Sequence, residues 1–278
     1  MKILITNDDG IRSPVLTTLA DALHREHQVL VAAPATDQSG MSQAFTHGVE
    51  KRLAFKADAA SPYPKYEVLG TPCDCVKFAV AHLFKATEID LVLSGINLGE
   101  NAGMSAVYSG TVAAAREAAM WGIPAIAVSV WKNAPDRLNH AVDWLLRLLR
   151  QPALLPQRQG AGHSAPNVGR PGIGGGNPGL AGLWNVNFPP CAPSEIAGTS
   201  ITSMSTVMFR DSYEAIRTEH GLTEFRLLGY KPEADFREGT DDWALARNRI
   251  SITPLQVSQS DGSEAARLAG KGMDWDRI

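Results

Sequence analysis

The first half of the chain alternates short apolar, mostly β-branched runs with longer stretches in which apolar residues recur at helical spacing. Five of these runs predict buried strands: KILIT (2–6), QVLVAAP (28–34), YEVLG (66–70), IDLVLSG (89–95) and IPAIAVS (123–129). The stretches between and after them predict helices over 13–27, 71–84, 108–122 and 135–150. Continuous apolar strands separated by helices are typical of a parallel sheet covered on both faces. Residues 1–153 are therefore predicted to form a doubly wound α/β core.

The second half has a different pattern. Residues 154–183 are dominated by glycine and proline, cannot bury enough apolar surface to offset their ordering entropy, and are predicted to be a flexible insertion. Residues 184–278 are predicted to form a return strand and a β-rich C-terminal extension, with hairpins that could reach another subunit. Its predicted elements are strands at LWNVNFP (183–189), ITSMSTVMF (201–209) and TEFRLLGYK (223–231), and a helical turn followed by a strand in GTDDWALARNRISITPL (239–255).

Composition and short motifs exclude several function classes. The net charge of −3 and the absence of like-charge blocks argue against a stable nucleic-acid complex or an anionic membrane surface. No apolar stretch is long enough to span a bilayer, and three cysteines without framework spacing are typical of a reducing cytoplasm. GGGNPG (174–179) matches G-x-G-x-x-G but has no flanking strand and helix, and neither a Walker-type loop nor G-x-S-x-G occurs.

Polar side chains follow the predicted core strands at the point where each strand ends. Asp8 and Asp9 follow the first strand, Ser39 follows the second, and Asn97 and Asn101 follow the fourth. Because the carboxyl ends of parallel strands meet at one edge of a sheet, these oxygens are expected in one crevice. Two carboxylates with neutral oxygens suit a hard cation such as Mg²⁺ or Mn²⁺. Ordinary turns and a helix cap are the alternative interpretation of the same residues.

A phosphate site is predicted next to these oxygens. Ser109, Gly110 and Thr111 begin a helix with little side-chain bulk, and the free amides and positive dipole end of such a helix favour an anion. A plain Ser/Thr N-cap is the alternative. A hard cation beside a phosphate cradle indicates phosphoryl transfer or hydrolysis.

Six motifs, in order along residues 1–130, resemble those of the SurE family, the survival-protein E nucleotidases. They are ILITNDDGI, APATDQSGMSQAFT, GTPCDCV, SGINLGENAG, YSGTVAAAREA and GIPAIAVS. The resemblance implies a Rossmann-like core with a β-rich C-terminal extension. It also implies a cytoplasmic, divalent-metal-dependent phosphomonoesterase that hydrolyses nucleoside 5′- and 3′-monophosphates, and in some members trims polyphosphate. A homodimer in which the two subunits exchange their C-terminal extensions, often paired into a tetramer, is implied as well.

The resemblance also assigns roles to residues. It implies that Asp8, Asp9, Ser39 and Asn97 are the metal ligands, and that Asn101 and the segment 109–111 contact the substrate. Two chemical routes stay open: attack by a metal-activated water with Asp8 or Asp9 handling the proton, or direct attack by one of these aspartates. A nucleotide-binding or scaffold protein without hydrolysis is the alternative function.

This chain departs from the family pattern in three places. The Gly/Pro-rich insertion is longer than the usual link, residues 247–250 read RNRI before the final strand, and Cys73 replaces a smaller residue. The first departure affects the expected shape of the dimer contact and of the rim of the site, and none alters the expected chemistry.

Overall fold

The computed structural model describes residues 1–48, 52–131, 135–158 and 180–259, and within these the chain forms one large mixed sheet, a separate hairpin and six α-helices. The helices are α1 (Pro14–His24), α2 (Pro72–Phe78), α3 (Ser105–Tyr108), α4 (Gly110–Met120), α5 (Pro135–Leu149) and α6 (Asp241–Leu245). The strands of the first half are β1 (Lys2–Thr6), β2 (Gln28–Pro34), β3 (Phe55–Ala57), β4 (Lys65–Val68), β5 (Leu91–Leu98) and β6 (Ala125–Val130). Those of the second half are β7 (Leu183–Asn187), β8 (Thr199–Ile201), β9 (Arg210–Glu219), β10 (Leu222–Tyr230) and β11 (Ile250–Leu255).

The large sheet has the strand order β3-β4-β2-β1-β5-β6-β7-β11-β8. Strands β4, β2, β1, β5, β6 and β7 are parallel to one another. At the two ends of the sheet, β3 pairs antiparallel with β4 and β11 pairs antiparallel with β7, and β8 pairs parallel with β11. The order runs outward from β1 in both directions, which is the doubly wound arrangement. The predicted fold class is confirmed.

Helices bury both faces of the sheet. Because successive side chains of a strand point to opposite faces, one strand contributes to the apolar cluster on each face. On β1, Ile3 and Ile5 join a buried cluster with α1 and α5, whereas Leu4 joins a second cluster with α2 and α4. The parallel strands therefore carry apolar residues at nearly every position, which is why their sequence pattern is continuous rather than alternating.

Several predicted elements are confirmed and one is wrong. Strands β1 and β2 have the predicted bounds, and residues 239–255 form a short helix followed by a strand. The strand predicted over 201–209 is not formed, since β8 ends at Ile201. The amide of Ser205 donates to the Asp241 carboxylate at 2.8 Å, so a distant side chain satisfies backbone that a neighbouring strand would otherwise pair. Strand β9 was missed because all ten of its residues are exposed and leave no buried pattern.

The large sheet contains strands from both sides of the predicted boundary between the core and the extension. Strands β7 and β11 continue the same sheet as the core strands. Arg158 and Ala181 pair across the base of the predicted insertion, whose residues 159–179 lie outside the described part of the chain. No helix among the described residues combines the length and the apolarity that a membrane crossing requires.

Candidate functional site

A pocket of about 530 Å³ lies where the segments that follow β1, β2 and β5 meet the start of α4. Its lining residues are Asp8, Asp9, Asp37, Ser39, Gly40, Asn97, Leu98, Asn101, Ser105, Tyr108, Ser109 and Phe209. The structure therefore brings together six of the eight residues that the sequence marked as candidates, and the other two, Gly110 and Thr111, lie immediately behind Asp8.

Asp8 is almost fully buried and is held by Thr111. The hydroxyl of Thr111 donates to Asp8 Oδ1 at 2.6 Å, and its amide donates to Asp8 Oδ2 at 3.1 Å. The carbonyl oxygen of Asp8 accepts from the amide of Gln38 at 2.8 Å, which ties the segment after β2 to the end of β1. Burial raises the pKa of Asp8, and the two bonds from Thr111 oppose that rise. A positive partner in the pocket would favour the ionised form of this carboxylate.

Asp9 and Asn7 lie beside Asp8 in a turn that does not cap the following helix. Asn7 Nδ2 donates to the carbonyl of Gly10 at 3.1 Å, where the backbone is left-handed (φ +100°). Helix α1 begins later, with Ser13 at its N-cap position and no side-chain cap bond. The cap interpretation of Asp9 is therefore wrong, and Asp9 lines the pocket instead.

Ser39 reaches the pocket from the segment that follows β2, and Asn97 reaches it from the C-terminal end of β5. The amide of Ser39 donates to Asp37 Oδ1 at 2.7 Å, which fixes the turn that presents the serine hydroxyl. Asn97 Nδ2 donates to the carbonyl of Gly99 at 2.7 Å. Since that bond uses the amide nitrogen of Asn97, its oxygen is the atom of this side chain suited to a cation.

Asn101 lies in the segment after β5, is buried, and is held by side chains of β6 and β7. Its amide donates to Asn187 Oδ1 at 2.7 Å, and its carbonyl accepts from Asn185 Nδ2 at 2.7 Å. Its side-chain Nδ2 donates to Ser129 Oγ at 2.9 Å. The position of Asn101 in the pocket is thus set by side chains of two neighbouring strands.

The start of α4 has two roles in the site. Ser109 lines the pocket and also caps the helix, because its Oγ accepts from the amide of Val112 at 3.1 Å. Thr111 is fully buried, and both its amide and its hydroxyl are bonded to Asp8 rather than directed to the pocket. Gly110 leaves room for Asp8, since a Cβ at this position would lie 3.1 Å from Asp8 Cβ and 3.2 Å from Asp8 Oδ2.

The charged side chains among the described lining residues of the pocket are all acidic. Three carboxylates, from Asp8, Asp9 and Asp37, belong to the lining, whereas no lysine, arginine or histidine among the described residues does. Nowhere in the described part of the chain do three His, Cys, Asp or Glu side chains group as a metal site. A cation here would therefore need the neutral oxygens of Ser39 and Asn97 as well as the two adjacent aspartates, and this all-oxygen set fits Mg²⁺ or Mn²⁺.

Four polar or aromatic pocket residues were missed by the sequence patterns. Asp37 and Tyr108 lie within quoted motifs, two residues before Ser39 and directly before Ser109, so their position beside candidate residues was the available signal. Ser105 forms the first turn of α3. Phe209 comes from the C-terminal half, and nothing in its local sequence indicates that it reaches this pocket.

The cysteines do not contribute a nucleophile to the pocket. The three described cysteines are free thiols, and Cys73 and Cys75 are buried. Burial, together with the nearby carboxylates of Glu117 and Asp74, raises the pKa of Cys73 to about 12. A buried thiol with so high a pKa is not a nucleophile at neutral pH.

Comparison with known proteins identifies the family to which the chain is similar. The family model "Survival protein SurE" matches residues 3–211. A protein named 5′-nucleotidase SurE from Methylocella silvestris is 34% identical over 270 residues, covering 97% of this chain and 98% of its own length. Its namesake from Methylorubrum extorquens is 36% identical over 273 residues, again covering 97% and 98%. The solved SurE protein from Aquifex aeolicus superposes with a TM-score of 0.71 at 26% identity, covering 98% of this chain and all of its own.

The match to the family model covers most of the chain, and full-length relatives exceed 30% identity. The resemblance suggested by the six motifs is confirmed, and the chain belongs to the SurE family.

Proposed function

We propose that this chain is a Mg²⁺- or Mn²⁺-dependent phosphomonoesterase that hydrolyses nucleoside 5′-monophosphates, and also 3′-monophosphates, to nucleoside and phosphate. Trimming of polyphosphate ends would use the same site. The observation that carries the proposal is the pocket itself, which gathers carboxylates and neutral oxygens, and to which the described part of the chain contributes no basic side chain. A phosphate dianion would be repelled by such a lining unless a cation neutralised it. The name 5′-nucleotidase SurE, borne by relatives of nearly full length, supports the same substrate class.

Each candidate residue has a defined part in this proposal. Asp8, Asp9, Ser39 and Asn97 would hold the cation, which, when bound, neutralises phosphate charge and lowers the pKa of water. Asn101 and Ser109 contact the phosphate group at the pocket wall. Thr111 and Gly110 act through Asp8, one by donating two hydrogen bonds to it and the other by leaving space for it.

Water is the nucleophile that we favour over an aspartate. Both carboxylate oxygens of Asp8 accept hydrogen bonds from Thr111, and such bonds lower the nucleophilicity of a carboxylate and fix its direction. Asp9 lines the pocket and is assigned the role of handling the proton of the attacking water.

Phosphate release from a panel of nucleotides tests the proposed function. The purified chain is expected to release phosphate from nucleoside 5′-monophosphates with Mg²⁺ or Mn²⁺, more slowly from 3′-monophosphates and short polyphosphates, and not at all with excess EDTA. In ¹⁸O-labelled water, the label should enter the released phosphate and not the aspartates. Full turnover in EDTA would contradict the metal assignment. Nucleotide binding without phosphate release under every metal condition would instead favour a non-hydrolytic protein.

We also propose that the chain forms a homodimer, which could pair further into a tetramer, through the β9–β10 hairpin. An isolated two-stranded hairpin is marginal in water, yet this one exposes many large apolar side chains. These are Tyr213, Ile216, Leu222, Phe225, Leu227, Leu228 and Tyr230. A second copy of the chain is the partner that would cover them, and the three free thiols suit assembly in the reducing cytoplasm.

The oligomeric state of hairpin variants tests this assembly. Light scattering coupled to size-exclusion chromatography is expected to give a dimer or tetramer for the wild type. The double variant Phe225→Ser with Leu227→Ser should shift the molar mass towards that of the monomer, because two large apolar side chains of the proposed interface are removed. Thr218→Ala, on the same hairpin, removes only an exposed hydroxyl contact with Thr223 and should leave the mass unchanged. A monomeric wild type at micromolar concentration would contradict the proposal.

A further inference from the structure

The segment 99–104, which follows β5 and carries Asn101 into the pocket, is fixed by side chains from the second half of the chain. Asn185 and Asn187 of β7 bond the carbonyl and the amide of Asn101, as described above. The two following residues, Ala102 and Gly103, are held in the same manner. Consecutive backbone groups of this segment are therefore satisfied by distant side chains rather than by a strand partner.

Gly103 is held by α6. Its amide donates to Asp241 Oδ2 at 2.7 Å, across 138 residues of sequence. Asp241 is fully buried, and its Oδ1 accepts from the amide of Ser205 at 2.8 Å. The approach is close, because a Cβ at Gly103 would lie 2.7 Å from Asp242 Oδ2, and the backbone there is left-handed (φ +53°). Glycine is therefore the residue that allows the segment to lie against α6.

Ala102 is held by Lys231, the first residue after β10. Lys231 Nζ donates to the carbonyl of Ala102 at 2.8 Å and to Asp242 Oδ1 at 3.0 Å. The side chains of this ion pair are 7% and 4% exposed, so both charges are removed from water. Burying an ion pair is costly unless its hydrogen bonds are made, and here one of them reaches the backbone of the pocket segment.

The same lysine contacts a residue of the pocket wall. Its ammonium lies over the ring of Phe209, 5.1 Å from the centroid, and Phe209 lines the pocket. Phe209 directly precedes β9 and Lys231 directly follows β10, so both ends of the hairpin meet at the pocket rim.

We propose that Lys231 is a positioning residue for the active site, which holds the segment 99–104, and with it Asn101, through its bond to the Ala102 carbonyl. Its catalytic consequence rests on the function proposed above. Asp242 supplies the counter-charge that keeps the ammonium in place, and Phe209 fixes the direction of the lysine side chain. The base of the β9–β10 hairpin thus contributes to the wall of the pocket.

The test removes the buried pair as a unit. Lys231→Met with Asp242→Asn avoids leaving one charge buried alone, which would confuse misfolding with mispositioning. We expect kcat for a nucleoside monophosphate to fall about tenfold to a hundredfold, with a much smaller change in KM, because a small misplacement of a substrate-positioning group costs this much. The amides of Asn101 and Gly103 should exchange faster with deuterium, while those of β1 and β2 keep wild-type rates.

A matched control lies at the outer side of the hairpin base. Arg210 and Asp235 form an exposed ion pair at 3.6 Å that does not contact the segment 99–104. Arg210→Met with Asp235→Asn is expected to leave kcat, KM and amide exchange unchanged. Unchanged kcat and unchanged exchange in the Lys231 and Asp242 double variant would overturn the proposal.

Two further results separate failure of this proposal from failure of the proposed function. If the wild type releases no phosphate, the proposed function fails, and the exchange rates of Asn101 and Gly103 in the two double variants still decide whether Lys231 holds the segment. If the Lys231 and Asp242 variant does not fold, the single variant Lys231→Arg, which keeps the charge but changes the length and shape of the side chain, decides. Faster exchange of these two amides than in the wild type, with unchanged exchange in β1 and β2, supports the proposal, and wild-type exchange at both amides overturns it.

Discussion

Asp8→Asn is expected to lower kcat/KM for phosphate release by about 10³-fold, a loss typical of removing a group that stabilises charge in the transition state. The variant keeps the shape of the side chain. Its Oδ1 can accept from the Thr111 amide, and its Nδ2 can donate to the Thr111 hydroxyl, which serves equally as acceptor. The thermal unfolding midpoint without metal should therefore not fall, since the change also removes a buried charge.

The control for this prediction is Asp37→Asn in the same pocket. Asp37 is exposed, and the asparagine can keep the hydrogen bond from the Ser39 amide. Steady-state kinetics should show a loss of less than about tenfold, because an exposed charge is screened by water. Equal losses for the two variants would indicate that the pocket requires only overall negative charge, and the assignment of Asp8 as a metal ligand would then be wrong.

Gly110→Ala is expected to separate activity from stability. The added Cβ would lie 3.1 Å from both Asp8 Cβ and the Gln38 carbonyl oxygen, so Asp8 must shift by a few tenths of an ångström or more. A misplacement of about 1 Å costs about 10²-fold in kcat/KM, so this smaller shift is expected to cost about tenfold. Alanine is the better helix former by about 1 kcal/mol, so the free energy of unfolding should change little.

Gly70→Ala provides the contrast, because Gly70 is more crowded than Gly110 but does not line the pocket. Its Cβ would lie 2.7 Å from Asp74 Oδ2 and from Leu53 Cδ1. This variant should lower the unfolding midpoint while kcat/KM, measured well below that midpoint, stays near the wild-type value. If Gly110→Ala keeps more than half of the wild-type kcat/KM, the close fit between α4 and Asp8 is not required for activity.

The core strands could be predicted from sequence because a strand buried on both faces has a continuous run of apolar residues. Every position of KILIT except Lys2 is buried, and the observed strand has the predicted bounds. The exposed strand β9 has no such run, and the segment after Ile201 looked like a strand because it alternates. The Ser205 amide in this segment donates to Asp241 instead, a choice that depends on a residue 36 positions later and not on local propensity.

The sequence could predict those residues of the candidate site that parallel strand topology alone brings together. Once the strands are known to be parallel, the residues that follow them must lie at one edge, and the structure places Asp8, Asp9, Ser39 and Asn97 in one pocket. That these four hold a metal stays a prediction. The place of Thr111 differs from the expected one, because a helix N-terminus facing a carboxylate and one facing a phosphate have the same sequence pattern.

The sequence by itself therefore determined the doubly wound core and the oxygen-rich edge where its strands end. Apolar periodicity, and the alternation of strands and helices along the chain, can be read from neighbouring residues. Only the tertiary structure decided which side chains hold that edge in place. The bonds from Thr111 to Asp8, from Asp241 to Gly103 and from Lys231 to Ala102 join residues more than 100 positions apart. Such contacts depend on how the second half of the chain packs against the first, and packing is a property of the whole fold.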